Sequence, residues 1–357
     1  MKKYTKDTYL VRLNELHNLM KSTQNTFFSC FSKVTVLSNM NMRYEKVALN
    51  MNLDEHPYVL TRNIVDDAIE MFKKLIEMSF IENNNIEIDK FKNNNVIEKH
   101  HELWQEIWTR WDENEIQQLI NFRGDRLDAN NIVKEIEGKN CIDFGCGNGS
   151  IAFALLERGA KHVLGIDFGE KQIELARELA KKRCVEEKTE FIVGNILNTK
   201  QPSDKFEFAV ASAVFHHLKS KKHIEMALRE VARVLKKGGG FYYFVVGSGA
   251  ISHDLWDVSV DVLADMDIIL IENILKIMNP TRGKMTFIAD RLSATYLYSN
   301  VEETISMLEN CGFGNFRRLV TPDNDNLSCD INRVEEDPYG REKLGDGELR
   351  YYCELTN

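Results

Sequence analysis

Apolar residues recur in two different patterns along the chain, and the pattern changes near residue 131. Before that point they have helical spacing, most clearly in residues 64–78, where they return every four positions on one helix face. These positions are Ile64, Ala68, Phe72 and Ile76. Because glycine and proline are also scarce in this region, the spacing predicts a helical N-terminal domain over residues 1–130.

Two features stand between the first helices and the change of pattern. Residues 82–96 are rich in asparagine, a residue that hydrogen-bonds its own backbone, and they predict a loop. Downstream of this tract, Trp104, Trp108 and Trp111 follow helical spacing. The aromatic stripe has two interpretations: it packs against the following domain, or it forms a lid over a substrate.

From residue 131 onward, short apolar runs alternate with amphipathic helices. The runs are 140–144, 162–167, 190–195, 206–212 and 241–247. Strands that are separated by helices form parallel sheets with helices on both faces. The pattern therefore predicts a second domain over residues 131–357, of the doubly wound α/β class.

The alternation stops after the fifth strand, where residues 249–298 predict a mainly helical insertion. Open α/β sheets bind ligands outside the carboxyl ends of their strands. We therefore expect the insertion to form a cap over a substrate.

The sheet pattern resumes after the insertion. Ser299 and Glu302 match a capping box at the start of a helix. Residues 316–321 and 348–355 predict two further strands. The polar connection between them, 322–347, is longer than an ordinary hairpin loop, which favours a mobile or functional segment.

Composition and charge narrow the class of protein. Of the 357 residues, 43% are hydrophobic and 28% charged, as is typical of a soluble globular chain. The net charge of −9 does not favour a nucleic-acid partner, and no apolar run is long enough to span a membrane. Because the seven cysteines contain no C-x-x-C pair, we expect free thiols, a cytoplasmic location and no structural metal site.

The sharpest candidate site follows the first strand, in the segment CIDFGCGNGS at 141–150. Gly145, Gly147 and Gly149 predict a tight turn into a helix, where the absence of side chains lets the backbone approach a ligand. The second strand ends in Asp167, whose carboxylate suits the two hydroxyls of a ribose. Together these features predict an adenosine-type ligand.

Two cofactors fit this geometry, and their charges separate them. NAD sites use G-x-G-x-x-G, whose third glycine position is Ser150 in this chain. Asp143, at the end of the first strand, would repel the pyrophosphate of NAD but attract the sulfonium and ammonium of S-adenosylmethionine. The charges therefore favour S-adenosylmethionine, whose methionyl carboxylate suits the start of the following helix.

Residues 131–247 resemble the class I S-adenosylmethionine-dependent methyltransferases of the broad small-molecule type. The matching segments are IDFGCGNG (142–149), GIDFGEKQIELAR (165–177), FIVGNI (191–196), FEFAVASAVFHHL (206–218) and REVARVLKKGGG (229–240). The resemblance implies a Rossmann-like, seven-stranded sheet whose seventh strand is antiparallel, with S-adenosylmethionine as the cofactor.

The resemblance also implies roles for single residues. Asp143 and the three glycines of the turn surround the methionyl part of the cofactor, and Asp167 binds its ribose. The further positions implied are Phe168 and Ile196 beside adenine, Asn195 near its amino group, and Ser212 beside the sulfonium. Asn195 stands where the family usually has aspartate, so this contact is expected to be neutral.

The chemistry needs an aligned acceptor and, for a hydroxyl or ammonium group, removal of a proton. His216 and His217 follow the fourth strand, at the reactive end of the cofactor, and are the candidate catalytic bases. In the alternative interpretation they only shape the pocket. His253 in the insertion is a second candidate base, and Tyr296 and Tyr298 are candidate wall residues.

The acceptor is inferred by exclusion. The stretch Ser212-Ala213-Val214-Phe215 at the end of the fourth strand contains no Pro-Pro-Tyr or Pro-Cys motif. The absence of these motifs disfavours the usual adenine-N6, glutamine-amide and cytosine-C5 methylation. We expect methylation of an oxygen or nitrogen atom in a small or medium organic acceptor. Two alternatives stay open: a protein or tRNA substrate docked on the N-terminal domain, and a non-catalytic S-adenosylmethionine-binding partner. A homodimer is compatible with the sequence.

Overall fold

The computed structural model describes residues 5–81, 112–278, 292, 295–322 and 329–356. The chain divides into two compact units. The helical unit comprises Met1–Leu103, Gly249–Thr295 and Glu335–Gly345, and the sheet unit comprises Trp104–Ser248, Tyr296–Val334 and Asp346–Asn357. The domain boundaries 1–130 and 131–357 stay a prediction. The predicted loop at 82–96 and the stripe of Trp104, Trp108 and Trp111 lie outside the described residues.

The helices are numbered along the chain across the described ranges. They are α1 (Lys6–Ser22), α2 (Phe27–Leu49), α3 (Pro57–Ile81), α4 (Glu113–Ala129), α5 (Val133–Ile136), α6 (Ser150–Glu157), α7 (Glu170–Lys182), α8 (Lys221–Val234), α9 (Ile251–Leu263), α10 (Ile268–Met278), α11 (Val301–Glu309), α12 (Ile331–Glu336) and α13 (Gly340–Leu344). Across these ranges, no helix is both long and apolar enough to cross a bilayer.

The sheet unit contains one seven-stranded sheet. Its strands are β1 (Asn140–Phe144), β2 (His162–Asp167), β3 (Thr189–Val193), β4 (Phe206–Ser212), β5 (Leu235–Val246), β6 (Phe313–Arg318) and β7 (Glu348–Leu355). Their order is β3-β2-β1-β4-β5-β7-β6, and β7 runs antiparallel to both of its neighbours. The predicted α/β class and the antiparallel seventh strand are confirmed.

Alternate strand residues enter two different cores, one on each face of the sheet. Cys141 and Phe208 belong to the core that α4, α6 and α7 cover. Their chain neighbours Ile142 and Ala209 belong to the core beneath α8 and α11. Because both faces are buried at the centre of the sheet, β1, β2 and β4 are mostly apolar, whereas β6 at the edge alternates buried and more exposed residues.

The helical unit combines the N-terminal helices with the insertion that follows β5. Tyr9 of α1 and Tyr44 of α2 are buried with their hydroxyls 3.2 Å apart. In α13, the buried ammonium of Lys343 pairs with Asp337 and also donates to the carbonyl of Asn50 at 2.8 Å. Because α1, α2 and α3 precede the sheet and α9 and α10 follow β5, the predicted helical N-terminal region and the helical insertion after strand five are confirmed.

The part of the chain from Ser299 onward departs in detail from the sequence prediction. Asn300 rather than Ser299 caps α11, because its side chain accepts the N–H of Glu303 at 2.8 Å. The carbonyl of Ser299 instead accepts the N–H of Ser248 at 2.8 Å. Strand β6 begins three residues before the predicted 316–321, and the connection 322–347 contains α12 and α13.

Candidate active site

In the turn between β1 and α6, the backbone packs so closely against neighbouring residues that added side chains would collide with them. Gly145 and Gly149 have φ values of 73° and 81°, in the left-handed region that glycine tolerates. A Cβ at Gly145 would lie 2.5 Å from Cγ1 of Val214, and a Cβ at Gly149 would lie 2.9 Å from Cζ of Phe191. The turn at the carboxyl end of β1 therefore requires glycine at both positions.

Asp143 is the residue of β1 that precedes this turn. Its side chain is buried, and within the described ranges its Oδ2 atom has no hydrogen-bond partner. Burial raises the pKa of Asp143 to about 7, although the nearby charge of Arg123 lowers it. A buried carboxylate with an unused oxygen attracts a cation. The site thus fits the positive sulfonium or ammonium of S-adenosylmethionine better than a pyrophosphate.

Asp167 connects the end of β2 to the glycine turn. One carboxylate oxygen accepts the N–H of Gly147 and the other accepts the N–H of Gly169, both at 2.9 Å. Burial raises the pKa of Asp167, and the backbone N–H groups oppose that shift. The N–H of Phe168 also bonds this carboxylate. Its two oxygens together offer about four lone pairs, so the carboxylate could still accept a ribose hydroxyl.

The predicted adenine-side residues lie beyond β2 and β3. The exposed fraction of Phe168 is 41%, which leaves its ring accessible for stacking on a ligand. Asn195 is exposed and its Oδ1 atom accepts the N–H of Leu197 at 2.9 Å, while Ile196 is half-buried. Their assignment to adenine stays a prediction.

Ser212 ends β4, and its contact was not foreseen from the sequence. Its hydroxyl accepts a hydrogen bond from Nη1 of Arg123 at 2.8 Å. Arg123 lies on α4, in line with the buried residues Ile116, Ile120 and Leu127. A charged residue within an apolar helical stripe was the available signal, and the sequence prediction missed it.

His216 and His217 lie together after β4. The N–H of Val246 donates to Nδ1 of His216 at 3.2 Å, and the Nε2 atoms of the two rings are 3.0 Å apart. Because Nδ1 accepts, a neutral His216 carries its proton on Nε2 and donates it to His217. This arrangement ties His216 to strand β5, while His217 is half-buried. Their roles as catalytic bases stay a prediction.

The other aromatic candidates fall into different units. The ring of Tyr296 lies 5.3 Å from that of His216 and 4.9 Å from that of His217, and it stacks on Tyr298 at 6.2 Å. His253 is buried in the helical unit, where burial lowers its pKa to about 3. His253 is therefore neutral at physiological pH.

We expect the His216→Leu variant to lose about 1 kcal/mol of unfolding free energy, because the half-buried N–H of Val246 loses its acceptor. The His216→Asn variant is the matched control, since its carbonyl oxygen can replace Nδ1. Urea unfolding monitored by circular dichroism measures both. Equal losses in the two variants would contradict the assigned contact.

The two cysteines beside the turn have no metal or redox arrangement. Cys141 and Cys146 are buried, and burial raises the pKa of Cys141 to about 12 and that of Cys146 well above its ordinary value. Such thiols are unreactive near neutral pH. In the described part of the chain, no group of three or more His, Cys, Asp or Glu side chains is arranged to hold a metal ion.

A doubly wound sheet with a glycine turn after β1 and a buried carboxylate at the end of β2 defines a domain for an adenosine-type ligand. Comparison with known proteins identifies the class. Residues 141–239 match a family described as methyltransferase domain. The segment is a class I S-adenosylmethionine-dependent methyltransferase domain, and the cofactor of this class is S-adenosylmethionine.

Two curated relatives are similar to part of this chain. The chain is 32% identical over 102 residues to 27-O-demethylrifamycin SV methyltransferase of Amycolatopsis mediterranei, covering 29% of this chain and 36% of the relative. It is 40% identical over 70 residues to ribosomal protein L11 methyltransferase of Pectobacterium carotovorum, covering 20% of this chain and 22% of the relative. The chain thus spans about a third or less of the length of these relatives.

A solved structure of an S-adenosylmethionine-dependent methyltransferase from Mesorhizobium loti is also similar. It shares 18% sequence identity with this chain at a TM-score of 0.40, over 63% of this chain and 96% of that one.

Proposed function

We propose that this protein transfers the methyl group of S-adenosylmethionine to an oxygen or nitrogen atom of a small or medium organic acceptor. The observation that carries the proposal is Asp143, a buried carboxylate with an unused oxygen beside the glycine turn. It lies in the segment that matches the methyltransferase domain. A methylated product and S-adenosylhomocysteine are the expected products.

When bound, S-adenosylmethionine supplies a methyl group on a positively charged sulfur, which is a good leaving group. The residues of the chain then have two tasks. Asp143 and the glycine turn hold the charged methionyl end, and Asp167 holds the ribose. At the end of β4, His216 or His217 accepts the proton that the acceptor loses, or both only shape the pocket.

Several observations support a small acceptor in the cytoplasm. One is the similarity to the methyltransferase of 27-O-demethylrifamycin SV. Another is the net charge of −9, which does not favour a nucleic-acid acceptor. The seven cysteines are free thiols, as in proteins of a reducing compartment. A protein acceptor is the second candidate, because a segment of 70 residues is similar to ribosomal protein L11 methyltransferase.

Calorimetric titration with S-adenosylmethionine, S-adenosylhomocysteine and NAD tests the cofactor. We expect the first two to bind and NAD not to bind, and tight binding of NAD alone would overturn the proposal. Methyl-labelled S-adenosylmethionine is then incubated with the protein and with fractions of a cell extract. Label in a small-molecule fraction supports the proposed acceptor class, and label only in protein supports the second candidate.

Single-turnover rates test the histidines. A fall of about a hundredfold in the His216→Asn or His217→Asn variant, at unchanged S-adenosylmethionine affinity, would identify that residue as the base. Unchanged rates in both variants would assign the histidines to pocket shape.

A further inference from the structure

Arg123 is a cation whose hydrogen bond within the described part of the sheet unit goes to a neutral group. Its Nη1 atom donates to the hydroxyl of Ser212, and its Nε atom is inaccessible to solvent and has no acceptor there. Burial lowers the pKa of Arg123, whereas the nearby carboxylate of Asp143 raises it. Because burial raises the pKa of Asp143 to about 7, this carboxyl group is only partly ionised at neutral pH. It therefore offsets only part of the cost of burying the guanidinium, and an anionic ligand would offset more.

Two further arginines surround this position. Arg126 of α4 and Arg350 of β7 are buried, and both face Glu348, at 3.9 Å and 2.6 Å. After burial itself, the charge of Arg126 is the largest cause that lowers the pKa of Arg123, to about 10. Arg123 is therefore still charged at neutral pH, in a region of positive potential.

The register of the sheet fixes where this group lies. Ser212 of β4 pairs with Phe244 of β5, and Phe244 pairs with Arg350 of β7. The guanidinium of Arg350 lies 4.5 Å over the ring of Phe244. These three residues form a row across the carboxyl ends of β4 and β5, on the face that α4 covers.

This row lies on the opposite side of β1 from Asp167. The sheet order is β2-β1-β4-β5, so a ligand whose ribose is at β2 reaches β4 with its other end. The methionyl carboxylate has its own place at the start of α6, where helix N–H groups favour an anion. Arg123, which is hydrogen-bonded to Ser212 at the end of β4, therefore lies toward the end of the ligand that is opposite the ribose.

Building on the proposed function, we propose that Arg123 binds a carboxylate of the acceptor, at the ends of β4 and β5, with Arg126 and Arg350 supplying additional positive potential. The acceptor is thus an organic acid, and the planar fork of Arg123 matches its carboxylate. Arg123 is a specificity residue, because it selects the charge of the acceptor and takes no part in the breaking of the sulfur–carbon bond.

Benzoate and its neutral counterpart benzamide test this subsite. Each is titrated by calorimetry into protein that is saturated with S-adenosylhomocysteine. We expect benzoate to bind about tenfold or more tightly than benzamide, and we expect the Arg123→Gln variant to lose this preference. The Arg123→Lys variant should keep part of it, since the charge remains but the fork is lost.

The controls separate charge at this position from net charge and from folding. Arg229→Gln removes one positive charge from the exposed side of α8 and should leave benzoate binding unchanged. Circular dichroism and thermal unfolding of the Arg123 variants check that they fold. Wild-type protein that binds benzoate no better than benzamide would overturn the subsite.

A second arm distinguishes the two sources of a carboxylate. S-adenosylhomocysteine carries the amino-acid carboxylate, and 5′-methylthioadenosine lacks it. If Arg123→Gln weakens only S-adenosylhomocysteine, the arginine holds the cofactor and the acceptor subsite is wrong. If the wild-type protein does not bind S-adenosylhomocysteine at all, the proposed function fails and the subsite fails with it.

Discussion

The affinity of the protein for S-adenosylmethionine is expected to fall about tenfold or more when the pH is lowered from about 7.5 to about 5.5. The group responsible is Asp143, whose pKa burial raises to about 7. Below that pH the carboxyl group is protonated and neutral, so it no longer attracts the positive sulfonium or ammonium. Binding at low pH must first expel this proton, and the apparent affinity falls accordingly.

The Asp143→Asn variant is the matched control, because it keeps the shape of the side chain and cannot ionise. We expect it to bind S-adenosylmethionine weakly and with little dependence on pH over the same range. Isothermal titration calorimetry in buffers of different ionisation enthalpy also counts the protons released. Parallel pH profiles for the wild-type and variant proteins would contradict the role of Asp143.

The Asp143→Asn substitution should weaken ligand binding but should not lower the stability of the ligand-free protein at high pH. A carboxyl group whose pKa is raised by folding holds its proton more tightly in the native state than in the unfolded chain. Its favourable contribution is therefore present at low pH and is lost as the pH rises through about 7. At about pH 8, ligand-free Asp143→Asn should have a melting temperature equal to or above that of the wild-type protein. A variant that loses both stability and binding would indicate a structural role instead.

The core of the sheet could be predicted because its strands are buried on both faces. The predicted limits of β1, β2 and β4 agree with the structure, since each is a short apolar run with polar or glycine residues at its ends. Strand β5 begins at Leu235 rather than at 241, because Leu235 pairs with Phe206. Gly240 pairs with Phe208 within the sheet, so the strand includes the glycines that precede residue 241.

Some residues of the candidate site could be predicted from the sequence and others could not. Asp143, Asp167 and the glycine turn are close in sequence to strand ends, so strand topology alone brings them together. Arg123 and Arg350 are separated by most of the chain, and the charge of Arg350 acts on Arg123 because α4 covers the face to which β7 contributes. No local spacing encodes that proximity. A single-sequence prediction finds such a pair only through the arginine that interrupts an apolar stripe.

The Asp167→Asn variant is expected to bind S-adenosylhomocysteine about a hundredfold more weakly than the wild-type protein. Both carboxylate oxygens of Asp167 accept backbone N–H groups, from Gly147 and Gly169. An asparagine offers one oxygen and one NH₂ group, so one of the two buried N–H groups meets a donor instead of an acceptor. The glycine turn and the ribose position are both disturbed by that conflict.

The ribose contact is isolated by changing the ligand together with the residue. S-adenosylhomocysteine and its 2′-deoxyribose analogue are titrated into the wild-type protein, Asp167→Asn and the exposed control Asp204→Asn. If Asp167 accepts the ribose hydroxyls, Asp167→Asn lowers the affinity for S-adenosylhomocysteine more than the affinity for the deoxy analogue. The control Asp204→Asn leaves both affinities unchanged. Equal penalties for both ligands would mean that Asp167 acts only by holding the turn. In that case the backbone N–H groups of Gly147 and Gly169, rather than the ribose, account for its burial at the end of β2.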